Sequence, residues 1–432
     1  MLRPATDVAF QRVAARPTPS RRISAQPTSA YGWPFWFTYL ANTSMMVAVS
    51  LLFRYADFVK QLGGTELNLG WIVGIGMVGS LAMRLAQGVG IDTYGPRKIW
   101  LISSALFVVT CLAHLLIRSP DGAAIFILRI AYQCAIAGFF GASITFISGR
   151  APVARIAEVV GTLGTSGFLG MVAGTTLGDH LLGYPTVAPG EVQAMFLVAA
   201  ALGTLGFVFS WLAAPKQEMR TRRKQISVFR LLGRYHPGAV LVIAAATGFG
   251  LQLPGTFLRP YADALGLAGI AVFFSVHAPM AFATRLFSRR LPERHGLRSM
   301  MLIGMASLVV GMLLFTVVRS PWMLAIPAIF TGIAHALLFP SVVAGGTATF
   351  PLRYRGLATV AVLAVIDIGT LIGSPLVGGI VYYSSDLGLP PYPTMFVAVA
   401  ASLALAGVLF AIMTRANAER IRTDLVPPRR PE

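Results

Sequence analysis

The sequence predicts an all-α membrane protein whose twelve transmembrane helices form two pseudo-symmetric six-helix bundles. Three observations support this prediction: an apolar composition, twelve apolar stretches, and a repeat that relates the two halves of the chain. Of the 432 residues, 56% are hydrophobic and 12% are charged, with a mean hydropathy of +0.71. Soluble domains are about 25% charged, so the composition excludes an ordinary soluble protein.

The twelve stretches each approach the roughly 20 apolar residues that a membrane helix requires. They lie at 33–53, 69–91, 98–118, 122–148, 156–178 and 193–213, and then at 238–258, 267–288, 299–318, 322–348, 356–382 and 394–414. The predicted organisation is a disordered basic tail (1–32), a first bundle (33–213), a basic linker (214–236), a second bundle (237–414) and a C-terminal tail (415–432).

The basic residues predict the orientation of these spans. Of the 35 Lys and Arg residues, 27 fall in the tails and in the loops on the side of the termini, and 5 fall on the opposite side. Loops rich in Lys and Arg stay in the cytoplasm, so both termini are expected there, with the protein in a bacterial inner membrane. This distribution also explains the net charge of +19 without nucleic acid. An Arg-rich start also fits an organelle transit peptide, and this alternative stays open.

The two halves repeat each other at a nearly fixed offset. Arg84, Asp92, Gly95 and Arg97 recur 201 residues later as Arg285, Glu293, Gly296 and Arg298, while Arg155 and Gly178 recur 200 residues later as Arg355 and Gly378. An Arg followed by Tyr-Ala-Asp ends the first and the seventh spans, with one proline inserted in the second copy. Parallel repeats of six spans are typical of alternating-access transporters.

The loop after the second span reads Gly88-Val-Gly-Ile-Asp92-Thr-Tyr-Gly95-Pro-Arg97-Lys98. With the twelve spans, it resembles the signature loop GxxxDxxGxRK of the major facilitator superfamily, and the resemblance covers about residues 33–414. It implies that this loop latches the two halves together on the cytoplasmic side of the outward-facing state. The second copy, with Glu293, Gly296 and Arg298, departs from the pattern because Arg289 replaces the first glycine. As basic residues next to membrane spans, Arg97 and Lys98 also help to set the orientation of the spans in the membrane.

Two further patterns resemble parts of this superfamily. Arg129 resembles the arginine of its fourth helix, although Tyr132-Gln133 stands where Gln-Gly is usual. In the fifth span, four glycines follow the spacing GX8GX3GPX2GG of its antiporters: Gly161, Gly170, Gly174 and Gly178. Thr175 and Asp179 replace the proline and the last glycine. The same spacing also favours close helix packing.

Charges inside the spans are candidates for the substrate or proton pathway, because such groups usually face a cavity or a partner. Asp367 is the only acid deep in a span and is either a proton carrier or a structural hydrogen-bonded group. Arg129 either binds an anionic substrate or holds an internal acid. His335 occupies the place in the tenth span that Tyr132 has in the fourth, and is either titratable or a packing residue.

At the outer ends of the first and seventh spans, an arginine precedes an acid by three or four residues. These pairs are Arg54 with Asp57 and Arg259 with Asp263. Such spacing places the two groups on one helical face, so the pairs predict an outer gate; the alternative is helix-end residues that extend to the interface.

The predicted function is a secondary active transporter that acts as a monomer in the lipid bilayer and moves a small molecule by alternating access. Proton-coupled efflux of a drug-like compound or metabolite is the leading hypothesis, with a proton or another ion as coupling partner. The alternatives are proton-coupled uptake of an organic anion and a non-transporting receptor or scaffold. Neither a catalytic constellation nor a metal-ligand spacing occurs, so we expect no enzyme, no metal and no cofactor.

Overall fold

The described residues form twelve long α-helices, as the sequence predicts. The computed structural model describes residues 31–152, 155–214, 235, 237–351 and 354–424, and only the backbone at 88–93, 157 and 416–424. The predicted tail and linker therefore lie almost wholly outside the described residues. The helices are α1 Trp33–Gln61, α2 Glu66–Tyr94, α3 Pro96–His114, α4 Ala123–Ser148, α5 Ile156–Leu181, α6 Pro189–Ala213, α7 Val240–Ala264, α8 Ala271–Phe287, α9 Leu291–Leu314, α10 Ala325–Ala348, α11 Arg355–Ser384 and α12 Pro391–Asp424.

Within the described part, ten of these helices are long and apolar enough to cross a membrane. The other two are α8, which has 17 residues, and α5, whose apolar residues are interrupted by six glycines. The side of the bundle where α1 begins is called the termini side below, and the opposite side is called the far side.

Several helices extend beyond the apolar stretch that predicts them. α1 continues past the predicted end at residue 53, through a 3-10 turn at Leu52–Arg54, and ends at Gln61. The helix can include Arg54 and Asp57 because their opposite charges pair inside the protein. α12 likewise runs ten residues past the predicted end at residue 414. Hydropathy marks apolar residues, whereas a helix continues as long as its backbone hydrogen bonds do.

The contacts between helices follow the sequence repeat. In the first half α1 packs on α5 and α6, α2 on α4, and α3 on α4 and α6. In the second half α7 packs on α11 and α12, α8 on α10, and α9 on α10 and α12. The two halves meet mainly where α2 packs on α11 and where α5 packs on α8. These two contacts are equivalent under the repeat, and they are called the α2–α11 seam and the α5–α8 seam.

The two copies of the signature loop also share a backbone conformation. Gly95 has φ 81° and ψ 156°, and Gly296 has φ 77° and ψ 158°. Only glycine adopts this region without strain. Gly95 separates α2 from α3, and Gly296 bends the chain near the start of α9. Each copy therefore requires glycine at this position in order to begin the next membrane helix.

Backbone-to-backbone packing joins α7 to α11. A Cβ atom on Gly248 would collide with the carbonyl of Ile366, and one on Gly369 would collide with the carbonyl of Ala245. Membrane helices associate through such small residues, because lipid tails provide no hydrophobic force between helices.

The variant Gly248→Val is expected to destabilise the second half by about 1–3 kcal/mol, because the added methyl groups must displace the α11 backbone. Thermal unfolding of the purified protein in detergent measures this loss. Gly161→Val is the matched control, because no described atom outside the backbone of its own helix lies within 4 Å of the place where its Cβ would stand. If both variants unfolded at the temperature of the wild type, the α7–α11 contact would not be limiting.

Candidate functional site

A cavity of about 300 Å³ lies between the two halves. Helices α1, α2, α4 and α5 contribute to its wall from one half, and α7, α10 and α11 from the other. Its polar lining residues include Tyr55, Arg129, Tyr132, Gln133, Gln252 and His335. Within the described part of the chain, no Asp or Glu lines this cavity.

Arg129 on α4 is the cation of this cavity. Arg129 is 8% exposed. Its guanidinium carbon lies 4.3 Å from the ring centre of Tyr55 and 4.7 Å from that of Tyr132. Gly76 on α2 leaves room for its stem, since a Cβ there would stand 2.6 Å from the Cγ of Arg129. The Nε of Arg129 is buried and has no hydrogen-bond partner among the described residues. The two rings thus support a cation that has no carboxylate partner there.

His335 lies on the opposite wall of the cavity, in α10. Its Nδ1 is 3.2 Å from Nε2 of His277 on α8, whose Nδ1 is 3.0 Å from the hydroxyl of Thr331. The ring of Phe168 on α5 packs edge-on against His335, with the ring centres 6.0 Å apart. The repeat places Tyr132 and His335 in equivalent positions, and the structure places both on the cavity wall.

Asp367 on α11 pairs with α2 across the α2–α11 seam. Its carboxylate accepts hydrogen bonds from Arg84 Nε at 2.6 Å, Arg84 Nη2 at 3.2 Å and Ser80 Oγ at 2.6 Å. Its side chain is 6% exposed, whereas that of Arg84 is 22% exposed. One helical turn further along α11, Thr370 lines the cavity. Asp367 therefore connects the two halves beside the cavity, and sequence reasoning missed Arg84 and Ser80 as its partners.

On the far side, the predicted gate arginines converge on one carboxylate. Asp57 on α1 accepts from Arg54 Nε at 2.6 Å and from Arg259 Nε on α7 at 2.9 Å. Both arginines are almost fully buried, at 0% and 1% exposure. The carboxylate of Asp263 lies 3.8 Å from Arg259 Nη2 and 2.5 Å from Lys60 Nζ. The side chain of Lys60 is 73% exposed.

Asp179 on α5 completes this cluster. It accepts from Arg54 Nη1 at 3.1 Å, and its other oxygen accepts from the backbone N–H groups of Ile270 and Ala271 at 2.7 and 2.6 Å. It therefore caps the N-terminus of α8, where a negative charge is favourable. The sequence already marked Asp179 as unusual, because this acid replaces the last glycine of the α5 pattern. The far-side network comprises Arg54, Asp57, Lys60, Asp179, Arg259 and Asp263.

The far-side network contains three cations and three carboxylates, and it crosses between the halves at Arg259–Asp57, at Lys60–Asp263 and at the N-terminus of α8. The two Arg/Tyr-Ala-Asp sets have nevertheless diverged. Tyr55 packs under Arg129, whereas the hydroxyl of Tyr261 donates to the carbonyl of Phe315. The far ends of the two halves are thus held together by ionic and capping contacts.

On the termini side, the described ionic contacts of α5 stay within its own half, where Arg155 pairs with Glu158 and the hydroxyl of Tyr31 donates to Glu158. Apart from the backbone of α5 itself, no described atom lies within 4 Å of the Cβ positions of Gly161, Gly164 and Gly167. Within the described part of the chain, the space at the Cβ position of Gly161 is open, and its role as a packing glycine stays a prediction. Gly170, Gly174 and Gly178 lie instead within contact of α1, where added Cβ atoms would meet Met46, Val47 and Arg54. The described structure is closed on the far side and open along α5 on the termini side.

The signature-loop residues lie at this open side. Arg298 donates to Thr414 Oγ1 at 2.8 Å and to the carbonyl of Ala411, both on α12 in its own half. Lys98 and Glu293 are exposed, and no ion pair of theirs occurs among the described residues. Arg97 is partly buried at the start of α3. The predicted latch residues Gly88 and Asp92 lie in the helical segment whose side chains the structure does not describe.

Similarity to known proteins agrees with this architecture. The sequence profile of the Major Facilitator Superfamily matches residues 35–292 and 240–429. An uncharacterized MFS-type transporter of Burkholderia pseudomallei is 25% identical over 392 residues, 87% of this chain and 90% of the relative. The uncharacterized MFS-type transporter YhhS of Escherichia coli is 23% identical over 378 residues, 86% of this chain and 89% of the relative.

Solved structures show the same fold. A variant of the nucleoside transporter NupG superposes with a TM-score of 0.77 at 15% identity, over 88% of this chain and all of that chain. A bacterial homologue of the human lysosomal transporter Spinster, in an inward-facing and unoccupied conformation, gives a TM-score of 0.68 at 15% identity, over 90% and 98% of the two chains. The protein is a membrane-embedded secondary transporter for a small molecule and not an enzyme; the chain belongs to the major facilitator superfamily.

Proposed function

We propose that this transporter moves a small organic anion by alternating access and that Arg129 binds the anionic group. The observation that carries the proposal is the state of Arg129: a buried guanidinium over two tyrosine rings, in a cavity whose described lining contains no carboxylate. A buried charge is unfavourable without a partner. A carboxylate or phosphate on the substrate would supply that partner in the planar geometry that suits arginine.

Efflux of a drug-like compound drew its support from the glycine pattern of α5. Gly170, Gly174 and Gly178 contact α1 within their own half, so helix packing accounts for this part of the pattern. The polar lining of the cavity, with Arg129 and no described carboxylate, favours an anionic substrate instead. Flux assays with the protein inserted in either orientation will determine the direction of transport.

The far-side network and the α5–α8 seam support alternating access. The positive-inside distribution of Lys and Arg supports a cytoplasmic termini side, and the proposed membrane is the inner membrane of a bacterial cell. In that orientation the structure is inward-facing, and the far-side network is the outer gate. Separation of Asp57 from Arg259 and of Lys60 from Asp263 then accompanies opening to the outside.

A proton is the proposed coupling ion, and Asp367 is its carrier. Protonation would remove the charge that holds Arg84, and with it an ionic contact between the halves. A proton bound beside the cavity would thereby change the free energy of separating α2 from α11. Proton binding at Asp367 is coupled to movement of α2 against α11, because the bound proton changes the free energy of their separation.

Flux measured in proteoliposomes tests the proposal. Labelled organic anions, cations and neutral solutes are offered with and without a pH gradient, to protein inserted in either orientation. We expect flux of anions only, dependent on the gradient. Transport of cations or neutral solutes alone would contradict the proposal, and saturable binding without flux in any orientation would indicate a receptor.

Arg129→Gln is expected to weaken binding of the transported anion by about tenfold to a hundredfold, because a charge-assisted hydrogen bond contributes about 1.5–3 kcal/mol. Arg129→Lys should recover part of the lost affinity, since lysine restores the positive charge but not the two parallel N–H donors of the guanidinium. Arg118→Gln is the control, an exposed arginine at a distance from the cavity wall. Unchanged affinity in Arg129→Gln, measured by competition with the labelled anion, would show that Arg129 does not bind the substrate.

A further inference from the structure

The repeat provides α8 with an arginine that has lost its internal partner. Arg285 is the equivalent of Arg84, 201 residues later. Arg84 is held by the carboxylate of Asp367, which lies 12 residues after Arg355 in α11. The corresponding residue of α5 lies 12 residues after Arg155, and it is Gly167. The α2–α11 seam thus contains an arginine and an acid, whereas the α5–α8 seam contains an arginine and a glycine.

The space that a carboxylate would fill is open. In the part of the chain that the structure describes, no atom outside the α5 backbone lies within 4 Å of the Cβ position of Gly167. The guanidinium of Arg285 lies 5.4 Å from the ring centre of Phe168, the next residue along α5. Its Nε is buried and has no hydrogen-bond partner among the described residues. Arg285 is therefore a partly buried cation that lies beside an open space and against the aromatic ring of Phe168.

This position is adjacent to the central cavity. The ring of Phe168 that contacts Arg285 also contacts His335, which lines the cavity and is hydrogen-bonded to His277. Arg285 does not itself line this cavity; it lies beyond Phe168, toward the open termini side. Arg129 and Arg285, neither of which has a carboxylate partner among the described residues, thus belong to opposite halves of the protein, and His335 lies on the wall between them.

We propose that Arg285 binds a second anionic group and that the substrate class is therefore the organic dianions. One group would bind Arg129 in the first half, and the other would bind Arg285 in the place that Asp367 fills in the equivalent seam. This inference rests on the proposed function. A dianion held in this way would connect α4 to α8, so that a substrate contact replaces the ion pair that the α5–α8 seam lacks.

Matched probes test the second site on the full-length protein. Straight-chain dicarboxylates from succinate to suberate are compared with monocarboxylates of the same chain length at neutral pH. Binding is measured by titration calorimetry on purified protein in detergent. We expect at least one dicarboxylate to bind about tenfold or more tightly than its monocarboxylate partner, because it makes a second charge-assisted contact.

Three variants locate that contact. Arg285→Gln should reduce the affinity of the preferred dicarboxylate to that of its monocarboxylate and leave the monocarboxylate unchanged. Gly167→Asp should have the same effect with Arg285 intact, because it places an internal carboxylate where Asp367 stands in the equivalent seam. Gly167→Asn has nearly the same size without the charge and should retain most of the dicarboxylate preference.

The outcomes separate this inference from the proposed function. Equal affinities for paired mono- and dicarboxylates, unchanged in Arg285→Gln, would overturn the second site and leave anion binding at Arg129 intact. Equal loss of dicarboxylate affinity in Gly167→Asp and Gly167→Asn would overturn the charge argument. If no carboxylate of either series bound, and Arg129→Gln changed nothing in the flux assay, the proposed function would fail and the inference with it.

Discussion

Asp57→Asn is expected to open the far side of the protein. In the wild type Asp57 accepts hydrogen bonds from two arginines that are 0% and 1% exposed. Removal of one partner from a buried ion pair costs about 3–5 kcal/mol, because the remaining charge is left uncompensated. Asparagine retains the shape but not the charge, so Arg259 and part of Arg54 would lose their compensation. The conformation that is closed on the far side should therefore be destabilised by about that amount relative to the conformation that is open there.

Spin labels at the far ends of α1 and α7 measure this change. Positions Gln61 and Ala264 are exposed and lie at the ends of these helices, and their separation should shift to a longer distance in Asp57→Asn. Lys60→Gln is the control: it removes a cross-half ion pair whose lysine is 73% exposed, and such pairs contribute about 0–1 kcal/mol.

A second substitution distinguishes gating from misfolding. Combining Asp57→Asn with Arg259→Gln removes one of the uncompensated charges, so part of the closed population should return. If the label distances in Asp57→Asn matched those of the wild type in a folded protein, the far-side network would be an interface feature without a role in the gate.

Asp367→Asn is expected to uncouple transport from the proton gradient. In the wild type a gradient of one pH unit corresponds to about 1.36 kcal/mol, or about tenfold accumulation for each proton carried. Asparagine can still accept from Ser80 or Arg84 but binds no proton. Gradient-driven accumulation in proteoliposomes should therefore fall to the equilibrium level, while exchange of labelled for unlabelled substrate continues.

The retained exchange separates a coupling role from a folding role. Arg84 is 22% exposed, so water can reach its charge in the variant and the fold should persist. Ser80→Ala is the matched control, because it removes the neutral partner of the same carboxylate and leaves the titratable group. Accumulation by Asp367→Asn at the wild-type level would exclude Asp367 as the proton carrier.

The fold could be predicted because two independent signals agree. Hydropathy located the twelve spans, and the offsets that relate Arg84 to Arg285 and Gly178 to Gly378 divided them into equivalent halves. The structure confirms the twelve helices and their repeated packing. α1 and α12 continue beyond the apolar stretches that predict them, because charged residues that pair or lie outside the apolar core continue a helix without contributing to its hydropathy.

The candidate site was less predictable, because its contacts connect residues that are distant in sequence. The spacing of Arg54 and Asp57 indicated a local pair, but nothing in the spacing indicated that Arg259, 202 residues later, shares the same carboxylate. The Arg84–Asp367 pair is separated by 283 residues. Pairing of the few charges within the spans would have suggested it, since Asp367 was the only deep acid available.

The two seams between the halves differ in the work required to separate them. At mid-depth the α2–α11 seam is held by the Arg84–Asp367 ion pair, whereas the α5–α8 seam has open space at Gly167 and is held on the far side by Asp179. A rigid-body movement of two bundles joined along unequal edges turns about the stronger edge. We therefore expect the α2–α11 seam to act as the axis of a hinge, and the α5–α8 seam to travel furthest as the protein changes the side on which it opens.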